Sequence, residues 1–157
     1  MKNVENTTKN TMSKIKVFLD SSALIAGIIS STGAARVLLI MSELDEISIF
    51  ISEDVIIESE RTLAKKVPAA LPEFRQSIKA ARVKIMNSPY PQEVREHLYM
   101  IADPTDVPIL LAAIQAKVDY LATHNRKHFL DDPKVAELSG LRIGTPGDVL
   151  GWLRENM

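Results

Sequence analysis

The sequence predicts an α/β fold, a three-layer α/β/α sandwich around a central parallel sheet of about five strands. Short apolar runs alternate with longer helical stretches along the chain, which is the order of a sheet built from strand–helix–strand units. The runs are apolar on both faces, as strands covered by helices on both sides must be. Acidic residues stand directly after these strands or at helix starts. Right-handed crossovers place all such positions on one edge of the sheet, outside the strand carboxyl ends.

The first strand is Ile15 to Leu19, closed by Asp20. A helical stretch from Ala23 to Ser30 follows, and Thr32-Gly33 breaks it. A second helix spans Ala34 to Leu44, with Val37, Leu38, Ile40 and Met41 as its apolar side. Ile47-Ser-Ile-Phe-Ile51 is a buried strand. Ser52 is placed as an N-cap with acids in the first turn, so a helix runs to about Lys66. Pro68 and Pro72 end it, and Pro72 starts another helix through Ala81. Val83 to Met86 is a strand, and a loop with Pro89 and Pro91 leads to a short helix over Glu93 to Met100. Asp103-Pro-Thr-Asp106 opens a helix through Lys117, and Tyr120 to Thr123 is the next strand. Leu141 to Ile143 is the last strand, and Thr145-Pro-Gly-Asp148 is a capped start for a final helix ending near Glu155.

The 157 residues suit one domain with a sizeable core. The polar stretch 1–13 lacks the apolar run of a secretion signal and reads as a disordered tail or cloning remnant, leaving 14–157 as the domain. The absence of cysteine excludes disulfides, thiolate metal sites and cysteine nucleophiles, and fits a cytoplasmic location. No apolar run has the length of a membrane span. The net charge of −1 excludes a generally basic surface, so contact with nucleic acid must rest on a local patch.

Asp20, Glu58, Asp103 and Asp106 are the candidate site. Carboxylates gathered at one sheet edge repel unless a cation holds them, and hard oxygen ligands select Mg²⁺ or Mn²⁺. Capping competes with this reading. Asp20, helped by Ser21 and Ser22, suits the start of the following helix, and Asp103-Pro-x-Asp106 is by itself a good helix start. For the helix after Ser52, an apolar face drawn through Ile56, Ile57, Leu63, Ala64 and Val67 contains Glu60 and leaves Glu58 off it. A glutamate on an apolar stripe needs a partner, so the wheel favours Glu60 over Glu58, and because a helix at the sheet edge can bury two sides both stay open. His124 and His128 are four residues apart, but in a loop that spacing fixes no geometry and no third zinc ligand is evident. Arg126 and Lys127 form a small basic cluster that suits phosphate, or a solvated turn.

In its order and spacing the constellation resembles the PIN domain, the metal-dependent ribonuclease fold of many bacterial VapC-type toxins. Val17-Phe-Leu-Asp20-Ser21-Ser22 resembles the family's first strand, ending in an aspartate and a hydroxyl residue. Ser22 stands where asparagine is common. Ile51-Ser52 through Glu58 resembles the second strand and its helical glutamate. Asp103-Pro-Thr-Asp106 before Leu110-Leu-Ala-Ala113 resembles the third acidic block. Asp119-Tyr-Leu-Ala-Thr123-His-Asn125 resembles the segment ending Thr-x-Asp, with Asn125 replacing the frequent aspartate. The resemblance runs from Lys14 to Glu155.

The resemblance implies Mg²⁺- or Mn²⁺-dependent cleavage of single-stranded RNA, with Asp20, Glu58 and Asp106 as the catalytic acids. Asp20, Asp106, Asp103 and Asn125 are the metal ligands it nominates, and Ser21, Thr123, Arg126 and Lys127 the supporting and substrate-facing residues. It further implies a toxin with a small antitoxin partner, a homodimer, and no membrane. The neutral Asn125 keeps a second reading open, a PIN-like scaffold or RNA-binding module without catalysis. A phosphotransfer or dehalogenase-like domain with Asp20 as nucleophile ranks last. It would need a second aspartate two residues on, where Ser22 stands, and a catalytic lysine.

Overall fold

The computed structural model describes residues 14–157, and the stretch 1–13 that was read as a tail lies outside the described residues. The five strands are β1 (Lys16–Leu19), β2 (Ser48–Ser52), β3 (Lys84–Met86), β4 (Tyr120–Ala122) and β5 (Arg142–Gly144). They form one sheet in the order β3-β2-β1-β4-β5, and every neighbouring pair is parallel. This is the three-layer parallel α/β architecture that alternating apolar runs predict.

The helices between them are α1 (Ser21–Ile29), α2 (Ala34–Glu43), α3 (Glu53–Lys66), α4 (Leu71–Ala80), α5 (Pro91–Glu96), α6 (Val107–Gln115), α7 (Pro133–Ser139) and α8 (Pro146–Asn156). Val17, Phe18 and Leu19 of β1 are wholly buried, as are Ile49 and Ile51 of β2 and Leu121 of β4. The middle of the sheet is therefore the centre of the core. Helix α6 lies against β2, while α8 packs on β4, β5 and α2. Helices α1 and α2 approach closely at Gly27, where a Cβ would stand 2.8 Å from Leu39 Cδ1. Among the described residues no single helix is long and apolar enough to cross a membrane.

Local signals place the helix starts. Ser52 Oγ accepts from the Val55 amide at 3.2 Å, and Thr145 with Asp148 completes a reciprocal capping box at α8. Three departures from the sequence reading have physical causes. The stretch from Glu93 to Met100 splits into α5 and a 3₁₀ turn, Leu98–Met100. The segment after β4 carries a wide helical turn, Arg126–Leu130, and then α7, neither of which the apolar pattern marked. Both are short and are set by caps, Asn125 for the first and Asp132 for the second. The third departure is the buried face of α3. Its buried residues are Val55, Ser59 and Leu63, whereas Ile57 is 54% exposed. The stripe is rotated by about a quarter turn from the apolar wheel, because buried Ser59 is polar and drops out of an apolar count.

Candidate functional site

The strand order reverses direction at β1: β2 lies on one side of it and β4 on the other. In an open parallel sheet the crevice beyond the carboxyl ends of two such strands is the ordinary place for a ligand. Asp20 follows β1 there and Thr123 follows β4. The ladder carries them together: Leu19 pairs with Ala122, and the Asp20 amide donates to the Ala122 carbonyl at 3.2 Å.

Asp20 is 4% exposed and fully engaged. Its Oδ1 accepts from the Ala23 amide at 2.9 Å and from the Ser22 hydroxyl at 2.7 Å, and its Oδ2 accepts from the Thr123 hydroxyl. It is thus an N-cap for α1, as the capping alternative holds, and also a buried carboxylate at the crevice. Burial pushes its pKa up, against the hydrogen bonds from Thr123, Ala23 and Ser22 that pull it down, and the nearby Glu58 charge pushes it further up. Thr123 is wholly buried, and its Oγ1 also accepts from the Asn125 amide at 2.9 Å. Ser22 Oγ accepts from the His124 amide at 2.9 Å. A single polar net therefore ties the end of β1 to the segment after β4.

Glu58, half-buried on α3, accepts at Oε1 from the Ser21 hydroxyl at 2.7 Å. Glu60 turns the other way, with Oε1 3.7 Å from Arg75 Nε. Relative to the true buried stripe of α3 the two glutamates flank opposite sides, and only the Glu58 side faces α1 and the crevice.

Asp103 and Asp106 divide the roles that capping alone would give both. Asp103 Oδ1 accepts from the amide and hydroxyl of Thr105, at 2.9 and 2.8 Å, and caps the short 3₁₀ turn Pro104–Asp106. Those two bonds hold its pKa below the usual carboxylate value. Asp106 sits at the start of α6 but makes no side-chain cap bond. It is 8% exposed, and its Oδ2 is buried without a hydrogen-bond partner. Burial, with Asp103 next in weight, pushes its pKa up to about 6, with smaller contributions from Glu58 and Asp20 and an opposing one from His128. Those contributions also locate it: Asp106 lies within charge range of every other candidate acid. A buried carboxylate oxygen without a donor is costly unless something else satisfies it.

Asn125 and the basic pair are placed differently. Asn125 Oδ1 accepts from the His128 amide at 3.1 Å and caps the wide turn, so the oxygen nominated as a ligand carries a backbone bond. Arg126 and Lys127 are exposed on that turn, with Arg126 3.9 Å from Asp131. His128, which the sequence did not nominate as a site residue, is brought to the acids. Its Nδ1 is 3.2 Å from Asp106 Oδ2 and 3.7 Å from Asp103 Oδ2. The spacing of His124 and His128 indeed makes no pair: His128 faces two aspartates on another segment. The available signal was the histidine's place one turn after Asn125.

The donor set fits a divalent cation: carboxylates of Asp103 and Asp106, the latter with an unsatisfied buried oxygen, and the imidazole of His128 beside them. A cavity of about 580 Å³ lies elsewhere, between α2 and α4, and is lined by Arg36, Leu39, Glu73 and Ser77 among others. None of the candidate acids lines it.

Comparison with known proteins agrees with this fold. No curated protein matches the chain in sequence. Among solved structures, VapBC2 from Rickettsia felis, described as bound to a DNA fragment from its promoter, superposes with a TM-score of 0.59 at 20% identity over 82% of this chain and 97% of that one. PAE2754 from Pyrobaculum aerophilum superposes with a TM-score of 0.57 at 17% identity over 87% of this chain and 88% of that one. At such identities the likeness is one of fold. The sequence profile of the PIN domain matches residues 16–127, which span β1 through the Asn125 turn and contain every candidate acid. On that match the chain belongs to the PIN domain family.

Proposed function

We propose that this protein is an Mg²⁺- or Mn²⁺-dependent endoribonuclease that cuts single-stranded RNA, and that it acts as the toxin of a toxin–antitoxin pair. The observation that carries the reading is Asp106, a nine-tenths buried carboxylate with an oxygen that no donor satisfies, set within charge range of Asp20 and Glu58. Structural caps are satisfied, and this group is not.

A divalent ion bound there would polarise a phosphate oxygen and make a coordinated water more acidic. Asp20 and Asp106 would hold it. Asp20 presents a carboxylate locked in one rotamer by Ser22, Ala23 and Thr123, which is how supporting groups keep a ligand in place. Glu58, fixed by Ser21, would orient the attacking water and receive its proton. Asp103 supports the site from the rim, and Asn125 shapes the turn that delivers His128. Arg126 and Lys127, exposed beside the crevice, suit phosphates flanking the cut. With a net charge of −1, attraction for RNA falls to this pair and to the metal.

The family match and the likeness to VapBC2 support a small antitoxin partner, and we extend the proposal to a homodimer in the cytoplasm. The second reading, a binding-only PIN-like scaffold, is favoured by one observation: the Asn125 oxygen is neutral and already spent on a cap. Cleavage of single-stranded RNA with and without Mn²⁺, in wild type and Asp20→Asn, separates the two. The enzyme cuts only with metal and only as wild type. Inert wild type with intact metal binding would transfer the assignment to the scaffold.

A further inference from the structure

The carboxylates do not exhaust the ligating atoms at this edge. His128 is half-buried on the wide turn Arg126–Leu130, and its Nδ1, an Asp103 oxygen and an Asp106 oxygen all lie within 4.8 Å of one another.

Asp106 Oδ2 is buried with no hydrogen-bond partner, and the imidazole Nδ1 lies 3.2 Å from it. On its other side His128 Nδ1 is approached by Asn125 Nδ2 at 3.5 Å. An amide N–H directed at Nδ1 favours the tautomer whose Nδ1 carries a lone pair, and that tautomer is the one that binds metals. The same asparagine holds the His128 backbone through its Oδ1, which fixes the ring's place on the turn. The spacing also suits coordination. Two ligand atoms each about 2.1 Å from one ion, at right or tetrahedral angles, stand about 3.0–3.4 Å apart. The observed separations from Nδ1 are 3.2 Å to Asp106 and 3.7 Å to Asp103, so small side-chain rotations suffice.

We propose that His128 is a metal ligand of this protein, joining Asp106 and Asp103 in a mixed nitrogen–oxygen site that prefers a first-row transition ion such as Mn²⁺ to Mg²⁺. The proposal deepens the nuclease reading and depends on it only for the use to which the ion is put. Hard, strongly hydrated Mg²⁺ gains little from an imidazole, whereas transition ions gain a ligand. His128 thus supplies a ligand atom in the region where Asn125 brings no charge, and it changes the ion selected.

The test uses the full chain freed of metal by chelation and then loaded with Mn²⁺. Electron spin-echo envelope modulation on bound Mn²⁺ should show coupling to an imidazole nitrogen in wild type and lose it in His128→Gln. The His128→Gln protein should bind Mn²⁺ at least about tenfold more weakly, while Mg²⁺ binding, read by competition, hardly changes. His128→Asp should restore Mn²⁺ binding without the nitrogen signal and should improve Mg²⁺ binding. Wild type that binds Mn²⁺ with no nitrogen coupling overturns the proposal, and this measurement stands even if a variant fails to fold. A nitrogen signal that survives in His128→Gln overturns it too, because His97 or His124 would then be the source. The nuclease reading fails separately: nitrogen coupling without cleavage of any RNA leaves the ligand assignment standing and removes the enzyme.

Discussion

The Thr123 hydroxyl donates to Asp20 Oδ2 across the β1–β4 junction, joining two strand ends 103 positions apart in sequence. Thr123 is wholly buried and its Oγ1 also accepts the Asn125 amide, so one side chain holds both the first acid and the turn that carries His128. Thr123→Val keeps the shape and removes the hydroxyl. We expect a loss of about 1–3 kcal/mol in urea unfolding, since a buried carboxylate loses a donor. The Mn²⁺-induced rise in melting temperature should shrink as well, and Thr123→Ser should recover most of both. Unchanged stability in the valine variant would show that the bond is incidental.

Asp106 gives the metal-free protein a pH dependence of known sign. Its pKa is raised to about 6 from 3.8, chiefly by burial and then by Asp103. A raised carboxyl favours the folded state while protonated. Its contribution is complete below the ordinary pKa of 3.8 and is lost as pH rises through about 6. Asp106→Asn imitates the neutral form at every pH. In chelator, the melting temperature of wild type should therefore fall relative to Asp106→Asn between pH about 4 and 7. Adding Mn²⁺ near neutrality should reverse the order, because only wild type has the ligand. Parallel melting curves for the two proteins across that range would exclude a buried ionising Asp106.

Glu58 and Glu60 flank opposite sides of the buried stripe of α3, one on Ser21 and the other near Arg75. Glu58→Gln can keep an acceptor for the Ser21 hydroxyl and removes only the charge. RNA cleavage should fall by at least about a hundredfold with little change in stability, the scale of losing a positioned acid–base group. Glu60→Gln should leave activity intact, since an exposed pair contributes about 0–1 kcal/mol. The opposite pattern in a cleavage assay would move the catalytic glutamate to Glu60.

Asn125 separates capping from charge. Asn125→Ala removes the acceptor for the His128 amide and should cost about 1 kcal/mol. Asn125→Asp keeps the cap but adds a negative charge beside His128 and the acids it faces. The metal-free aspartate variant should melt lower than wild type, and it should gain more from Mn²⁺. Equal metal responses in wild type and Asn125→Asp would place this position outside the metal's reach.

The legible parts of this protein are those written in local pattern. The runs at Val17-Phe-Leu19 and Ile49-Phe-Ile51 are strands because they are apolar on both faces, and Ser52 and Thr145 cap the helices they precede. The alternation of strand and helix, with right-handed crossovers, brings the end of β1 and the start of α6, and so Asp20 and Asp106, to one edge. Glu58 was nominated by the family resemblance, whereas the helical wheel pointed to Glu60. The short elements after β4 were not legible, since a wide turn and a seven-residue helix carry too little periodicity to stand out. The buried face of α3 was misread because a serine occupies its centre.

Sequence by itself therefore determined the fold class, the order of the strands along the chain and the sheet edge at which acids would gather, but not which glutamate of α3 faces that edge. Tertiary structure decided which of those acids are satisfied. Asp103 and Asp106 share one helix-start motif, yet Asp103 bonds Thr105 while Asp106 keeps an unpartnered oxygen beside His128. That difference comes from burial and from contacts between distant segments. A residue's type sets what it can donate or accept, but the free energy of leaving it unsatisfied depends on what the rest of the chain puts around it.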